Sequence, residues 1–440
     1  MVSHDKLIKD LNDNPTLPDA IKRWFSTYLR GRQSQVNFRN KTSSYRNVRT
    51  GVPQGAVTSP ICFNYYLTKL PTPPEGIQVV QYADDISIYI SGTEIDKMTD
   101  SINLYIDKVL DFLEERELQV SPEKSTVTLF TPDPAQARLE PKVKMRNKQV
   151  KLDKSPKLLG VHFDTMHSFS KHIDYTVDKA KKKLNILKCL AGTDWGQDQE
   201  TMVMTYKAVI RSILEYAAPI WNPIISATSW TKLQRAQNQA LRIATGCHSI
   251  TCPDHLHRES KVLPLKEHGE MLTKQYLTQC HNPIHPGFKH LNMPQSPRAM
   301  KNTMLIYEKS TRYYLDLYDN NRKLANQQIH TDSVTSALAN YKPNRVLGVP
   351  PPSVDASILK MERNERSVLC QLRSGFCKLL QDYKARLDKN LPDTCPKCNS
   401  APQDVDHLFA CAKSPTDLSP RDLWTRPLKV LDFLKEEGFT

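Results

Sequence analysis

Glycine is thin in this chain, 14 of 440 residues against 30 prolines, so its connections are stiff spacers rather than floppy linkers. No apolar run reaches the roughly 18 residues of a membrane-spanning helix, and the opening MVSHDKLIKDLND is too polar for a signal peptide. An intracellular chain, nuclear and/or cytoplasmic and without a membrane partner, is therefore expected. Cysteine is also sparse: 10 residues cannot make a disulfide scaffold at this length and are expected mostly as buried thiols. Acidic residues fall short of basic ones, 47 against 61, leaving a net charge of +14 that fits a polyanionic partner, nucleic acid ahead of anionic membrane.

What is present reads as α+β in the first part and helical afterwards. Ile21, Trp24, Phe25, Tyr28 and Leu29 share one helical face, with Pro18 suited to the start and Gly31 to the stop. From Arg30 to Arg49 there are six basic residues and no acidic one, in a hairpin-like segment suited to phosphates or to simple solvation. The stretch QVVQYADDISIYI (78–90) alternates Ile86, Ile88 and Ile90 with Ser87, Tyr89 and Ser91, which predicts a half-buried strand with Asp84 and Asp85 at or beside a hairpin tip. Ile102, Ile106, Val109, Leu110 and Leu113 predict a helix, followed by a strand from Ser125 to Phe130 and a second hairpin from Lys142 to Leu152. Beyond residue 170 helical spacing dominates, and Lys171–Leu190 carries six lysines against two aspartates, which on charge alone fits a nucleic-acid face or an ordinary solvated one. Proline clusters (Pro283, Pro286, Pro294, Pro297, then Pro343 to Pro352) mark stiff connections or domain edges.

Paired aspartates at a hairpin tip suit divalent cations, which take oxygen ligands, although aspartate is also an ordinary turn residue. Upstream lies RTGVPQGAVTSPICFNYYL, where Gly51, Pro53 and Gly55 make a tight, close-approach backbone before an apolar helix. Together with YADD, these residues resemble the palm of a reverse transcriptase, most closely those of jockey-like non-LTR (LINE-type) retrotransposons. The resemblance implies an RNA-directed DNA polymerase with RNA template, DNA primer or target, deoxynucleoside triphosphates and Mg²⁺ as partners. It places Gly51, Val52, Pro53, Gln54, Gly55 and Tyr82 against template and nucleotide, Asp84 and Asp85 on magnesium, and Lys124 of LQVSPEKS near the nucleotide's phosphates. LLGVHFD resembles the primer-grip hairpin, with Leu159 and Gly160 at its turn.

Two departures matter. Ala56 stands where the family often has serine, and VSHDKL looks like the tail of the first aspartate motif, whose metal ligand would fall before Met1. The resemblance thus implies an N-terminally truncated polymerase, inactive alone, with a non-catalytic nucleic-acid-binding relic or domesticated protein as the alternative. The expected parts are a partial fingers and palm over 1–168, an antiparallel sheet with helices; a helical thumb-like domain over 169–280; a proline-rich connection with a helical segment over 281–356; and a C-terminal helical region with a zinc cluster over 357–440.

That cluster is Cys395-x2-Cys398, then His407 and Cys411, a spacing in which a Cys turn and a His-x3-Cys helical face converge on tetrahedral Zn²⁺. Cys247, Cys252, His255 and His257 invite a second metal, but two histidines two residues apart diverge, so ordinary surface or core side chains are the expectation there.

Overall fold

The computed structural model describes residues 1–192, 195–291 and 303–439. Pro294 and Pro297 lie outside the described residues. The chain divides into two compact units, Met1–Pro156 with Asp164–Met166, and Lys157–Phe163 with His167–Thr440.

The first unit mixes helices with small sheets. Its helices are α1 (His4–Asp13), α2 (Asp19–Leu29), α3 (Thr58–Tyr66) and α4 (Ile95–Glu115). Leu7, Ile8 and Leu11 of α1 close on Leu29, Cys62 and Tyr66. The apolar face expected over residues 17–31 is only part-buried, with Ile21 and Trp24 exposed. Among the described residues every sheet has two strands: β1 (Gln33–Ser34) with β4 (Arg46–Asn47), β2 (Asn37–Phe38) with β3 (Lys41–Thr42), β5 (Ile77–Tyr82) with β6 (Asp85–Ile90), and β8 (Lys144–Met145) with β9 (Lys148–Gln149). The strand expected over Ser125–Phe130 is only β7 (Thr126–Val127), and it takes β10 (Lys151–Leu152) as a parallel partner. The hairpin expected over Lys142–Leu152 is thereby shortened to β8 and β9, because Asp153 N donates back to Val127 O and draws its end away.

The hairpin β5–β6 is two-faced. Ile77 pairs with Ile90 and Val79 with Ile88, and these residues cover Leu67, Tyr105, Val109 and Leu113. Leu110 of α4 packs on its other side against Val143, Met145 and Val150. Asp10 of α1 reaches Arg116 just past α4 and also Lys69 at 2.9 Å. Burial opposes ionisation of Asp10, yet the hydrogen bonds from Arg116 and Lys69 prevail and hold its carboxyl below the usual range.

The second unit begins with the hairpin β11 (Lys157–Leu158) and β12 (Val161–His162) and continues as helices. These are α5 (Ser170–Leu190), α6 (Gln199–Thr205) running through a π-helical turn at Tyr206–Arg211 into α7 (Ser212–Leu214), α8 (Ala218–Trp221), α9 (Ala227–Thr245), α10 (Pro253–Ser260), α11 (Leu265–Cys280), α12 (Phe288–Leu291), α13 (Thr303–Leu317) and α14 (Arg322–Asn340). After them come α15 (Arg363–Ser374), α16 (Gln381–Leu387), α17 (Val405–Ala410), α18 (Asp422–Thr425) and α19 (Pro427–Glu436). One core gathers Ile173, Leu184, Tyr206, Trp221, Leu233 and Leu241; another gathers Leu369, Leu372, Leu408, Trp424 and Leu431. Helix α15 serves both, since Cys370 faces the first core and Leu369 the second. Among the described residues no helix is long and apolar enough to cross a membrane.

Candidate functional site

Asp84 sits in the two-residue loop of β5–β6, and Asp85 is the first residue of β6, paired with Tyr82. Ala83 takes φ +52, the positive value that a type II′ turn needs at its first loop position. The turn leaves both carboxylates exposed, with Tyr82 64% accessible on the same solvent face. Two adjacent oxygen donors on a rigid tip suit a hard cation such as Mg²⁺ in chemistry and access.

The loop at residues 51–55 is pinned by the start of the chain. Gly51 N donates to Val2 O at 2.7 Å, and His4 Nε2 donates to Gly51 O at 2.6 Å. At its far end Ser59 Oγ donates to Pro53 O at 2.5 Å. Gly51 and Gly55 hold φ +88 and +84, so the loop needs glycine at both positions, while Gln54 faces solvent. Lys124 is exposed in a turn closed by its own N–H on Ser121 O. Phe63 and Leu118 pack against the cores on both sides of α3, so the loop, the hairpin and the segment leading to Lys124 share one apolar framework. In the basic stretch, Arg30, Arg39, Lys41, Arg46 and Arg49 are exposed and Arg32 is half-buried.

In the second unit Leu159 and Gly160 form the turn of β11–β12, with φ +46 and +89, the type I′ pattern. Tyr216 fixes that turn: its hydroxyl donates to Leu159 O at 2.8 Å, and its ring would lie 3.0 Å from a Cβ on residue 160. Below it, His172 Nδ1 accepts from His162 N, and burial first, then the neighbouring His162, lowers His172 to about 4. All six lysines of α5 are exposed, opposite a buried row of Ile173, Val177, Ala180, Leu184 and Leu187. Beside them opens a cleft of about 540 Å³ whose charged lining is Lys188, Arg242, Arg363 and Lys378, with no carboxylate.

Cys395, Cys398, His407 and Cys411 come together with every ligand atom within 4.8 Å of the others. A short β-bridge, Thr394 to Pro402, turns the two-cysteine loop, and Asp404 caps α17 by accepting from His407 N at 2.8 Å. Cys395 and Cys411 sulphurs lie 3.9 Å apart, and Cys398 Sγ lies 3.2 Å from His407 Nε2. Cys411 stands just past the helix in extended backbone, so the two ligands do not share a helical face as the spacing implied. The Ser400 hydroxyl and amide lower the Cys398 thiol to about 6. Three thiols and an imidazole at these separations fit tetrahedral zinc.

Sequence reasoning passes over His4, Asp10 with Arg116, and Tyr216, which position the loop, the first unit's helices and the β11–β12 turn. No local pattern marks them, because each acts through a partner 47 or more residues away. Around Cys247 the structure regroups the neighbours that the sequence suggests. His257 is a satisfied core residue, its Nδ1 on Val262 O, whereas His255 turns to Cys247 and to the distant Cys370.

The hairpin and the loop both lie within the part of the chain that resembles a known family. Residues 1–163 match the family "Reverse transcriptase (RNA-dependent DNA polymerase)". Relatives from Drosophila melanogaster include the probable RNA-directed DNA polymerase from transposon BS, 25% identical over 62% of this chain and 31% of its own length. The probable polymerase from transposon X-element is 24% identical over 65% of this chain and 31% of its own length, and that from mobile element jockey 21% over 61% and 30%. The chain matches about a third of the length of these relatives.

Proposed function

We propose that the chain is a reverse transcriptase segment of a non-LTR retrotransposon, in which Asp84 and Asp85 ligate catalytic Mg²⁺. The observation that carries this reading is the exposed carboxylate pair on a strand-fixed tip, inside residues that match the polymerase family. Bound magnesium supplies charge balance at the attacking and leaving oxygens of in-line nucleotidyl transfer. The chain's own residues bind and orient: Gly51, Pro53, Gln54 and Gly55 present backbone to template and nucleotide, Tyr82 flanks the hairpin tip, and Lys124 approaches phosphates. Leu159 and Gly160 steady the primer end, and the lysine face of α5 with the adjoining basic cleft tracks the nucleic-acid backbone. The Cys395 cluster holds a structural zinc, since four protein ligands leave no open position for chemistry.

A two-metal centre needs more charge balance than one adjacent carboxylate pair supplies, and among the described residues no third metal-ligating side chain gathers with Asp84 and Asp85. The 440-residue polypeptide therefore binds a primer–template without extending it by itself. A primer-extension assay checks this: template-dependent incorporation that disappears in Asp84→Ala would refute the inactivity while supporting the site.

A further inference from the structure

We propose that Cys247, His255 and Cys370 form a second zinc site, separate from the Cys395 cluster and buried where α9, α10 and α15 meet. The three residues come from distant points of the chain. Cys247 follows Gly246, the left-handed residue (φ +73) that ends α9; His255 lies in the first turns of α10; Cys370 lies on α15. Their ligand atoms lie within 4.8 Å of one another. Cys370 Sγ is 3.8 Å from His255 Nε2 and 3.0 Å from Cys247 Sγ.

Two thiolates and an imidazole are the donor set that selects zinc over harder divalent ions. Bond lengths near 2.3 Å to sulphur and 2.0 Å to nitrogen put two sulphurs about 3.8 Å apart and a sulphur and a nitrogen about 3.5 Å apart in a tetrahedral site. The Cys370–His255 spacing already fits, and the two sulphurs need to part by somewhat under about 1 Å. Charge favours the same ion. Zn²⁺ with two thiolates and a neutral imidazole carries no net charge, and beside it Arg373 and Glu259 neutralise each other. On binding, each S–H gives its proton to solvent as a Zn–S bond forms.

Cys247 also lines the basic cleft, so water from that side completes the fourth position. The site joins residues 123 apart in sequence and locks the helix that both cores of this unit share.

Zinc content of the full chain, purified under reducing conditions and measured by plasma mass spectrometry, tests this. Cys395→Ser with Cys398→Ser empties the C-terminal cluster and should leave one zinc per chain; adding Cys247→Ser and Cys370→Ser should leave none. Cobalt substitution of the unmutated chain avoids variants that fail to fold. Its thiolate-to-cobalt absorption should correspond to five Co–S bonds, or to two if only the C-terminal reading fails. Three bonds, or no zinc in the first variant, would overturn the proposal. So would a mass lower by about 2 Da before reduction with Cys247 and Cys370 resisting alkylation, the mark of a disulfide.

Discussion

Arg373 is fully buried and spends its guanidinium on two elements. Nε and Nη2 donate to Glu259 of α10, and Nη1 donates to Leu423 O of α18 at 3.1 Å. Its own carbonyl accepts from Asn344 at 3.0 Å, so one residue ties α10, the proline-rich connection and the C-terminal helices to α15. Arg373→Met keeps the packing volume and leaves the Glu259 carboxylate buried without its cation, a change worth about 3–5 kcal/mol. In urea titrations followed by fluorescence of buried Trp221 and Trp424, the midpoint should fall by roughly 1 M or more with little change in slope. The pH sign is specific. In the native chain burial opposes Glu259 ionisation but Arg373 overcomes it, so its pKa lies below the ordinary 4.5 and its contribution is lost only as pH falls through that lowered value. In the variant burial meets only the smaller pull of His255 and Arg366 and moves the carboxyl upward from its native value, so the deficit shrinks on going from pH 7 toward pH 5. Glu259→Leu with Arg373→Met should recover most of the loss, because the pair's desolvation disappears with it. A single-variant loss below about 1 kcal/mol, or a double variant no more stable than the single, would refute the reasoning.

Gly160→Ala places a Cβ against the Tyr216 ring at φ +89 and should cost about 1–2 kcal/mol, seen as faster amide exchange in the β11–β12 hairpin; unchanged protection would contradict the role of Tyr216. His172, lowered to about 4 from 6.5, stays neutral in the fold while the unfolded chain takes up a proton, so its contribution is complete above pH 6.5 and declines toward pH 4. That amounts to about 2 kcal/mol between pH 7 and 5; His172→Asn should flatten this part of the stability profile, and an unaltered slope would count against it. Lys182→Gln with Lys183→Gln should lower the slope of log affinity for a primer–template against log salt by about 0.9 for each phosphate that is no longer neutralised, measured by fluorescence anisotropy. An identical slope would remove α5 from the nucleic-acid surface.

The hairpin tip was legible because its signals are local: period-two isoleucines fix the faces, and YADD supplies the turn. The lysine face of α5 was legible for the same reason, with apolar residues at helical spacing forcing the lysines outward. The zinc-ligand spacing was legible at Cys395 and Cys398, yet the helix ends at Ala410 and leaves Cys411 in extended backbone. Long-range partners were not legible. Nothing near His255 announces Cys370, and nothing near Gly160 announces Tyr216, because these pairings depend on how helices cross rather than on any repeat along the chain.

The most direct test concerns Asp84 and Asp85. A chimera in which residues 1–163 replace the matching segment of the Drosophila melanogaster jockey polymerase should extend a DNA primer on an RNA template. Asp84→Asn in that chimera should lower the rate by about 1000-fold, several kcal/mol of lost charge stabilisation, with primer–template affinity unchanged. Extension that survives Asp84→Asn and Asp85→Asn undiminished would contradict the account.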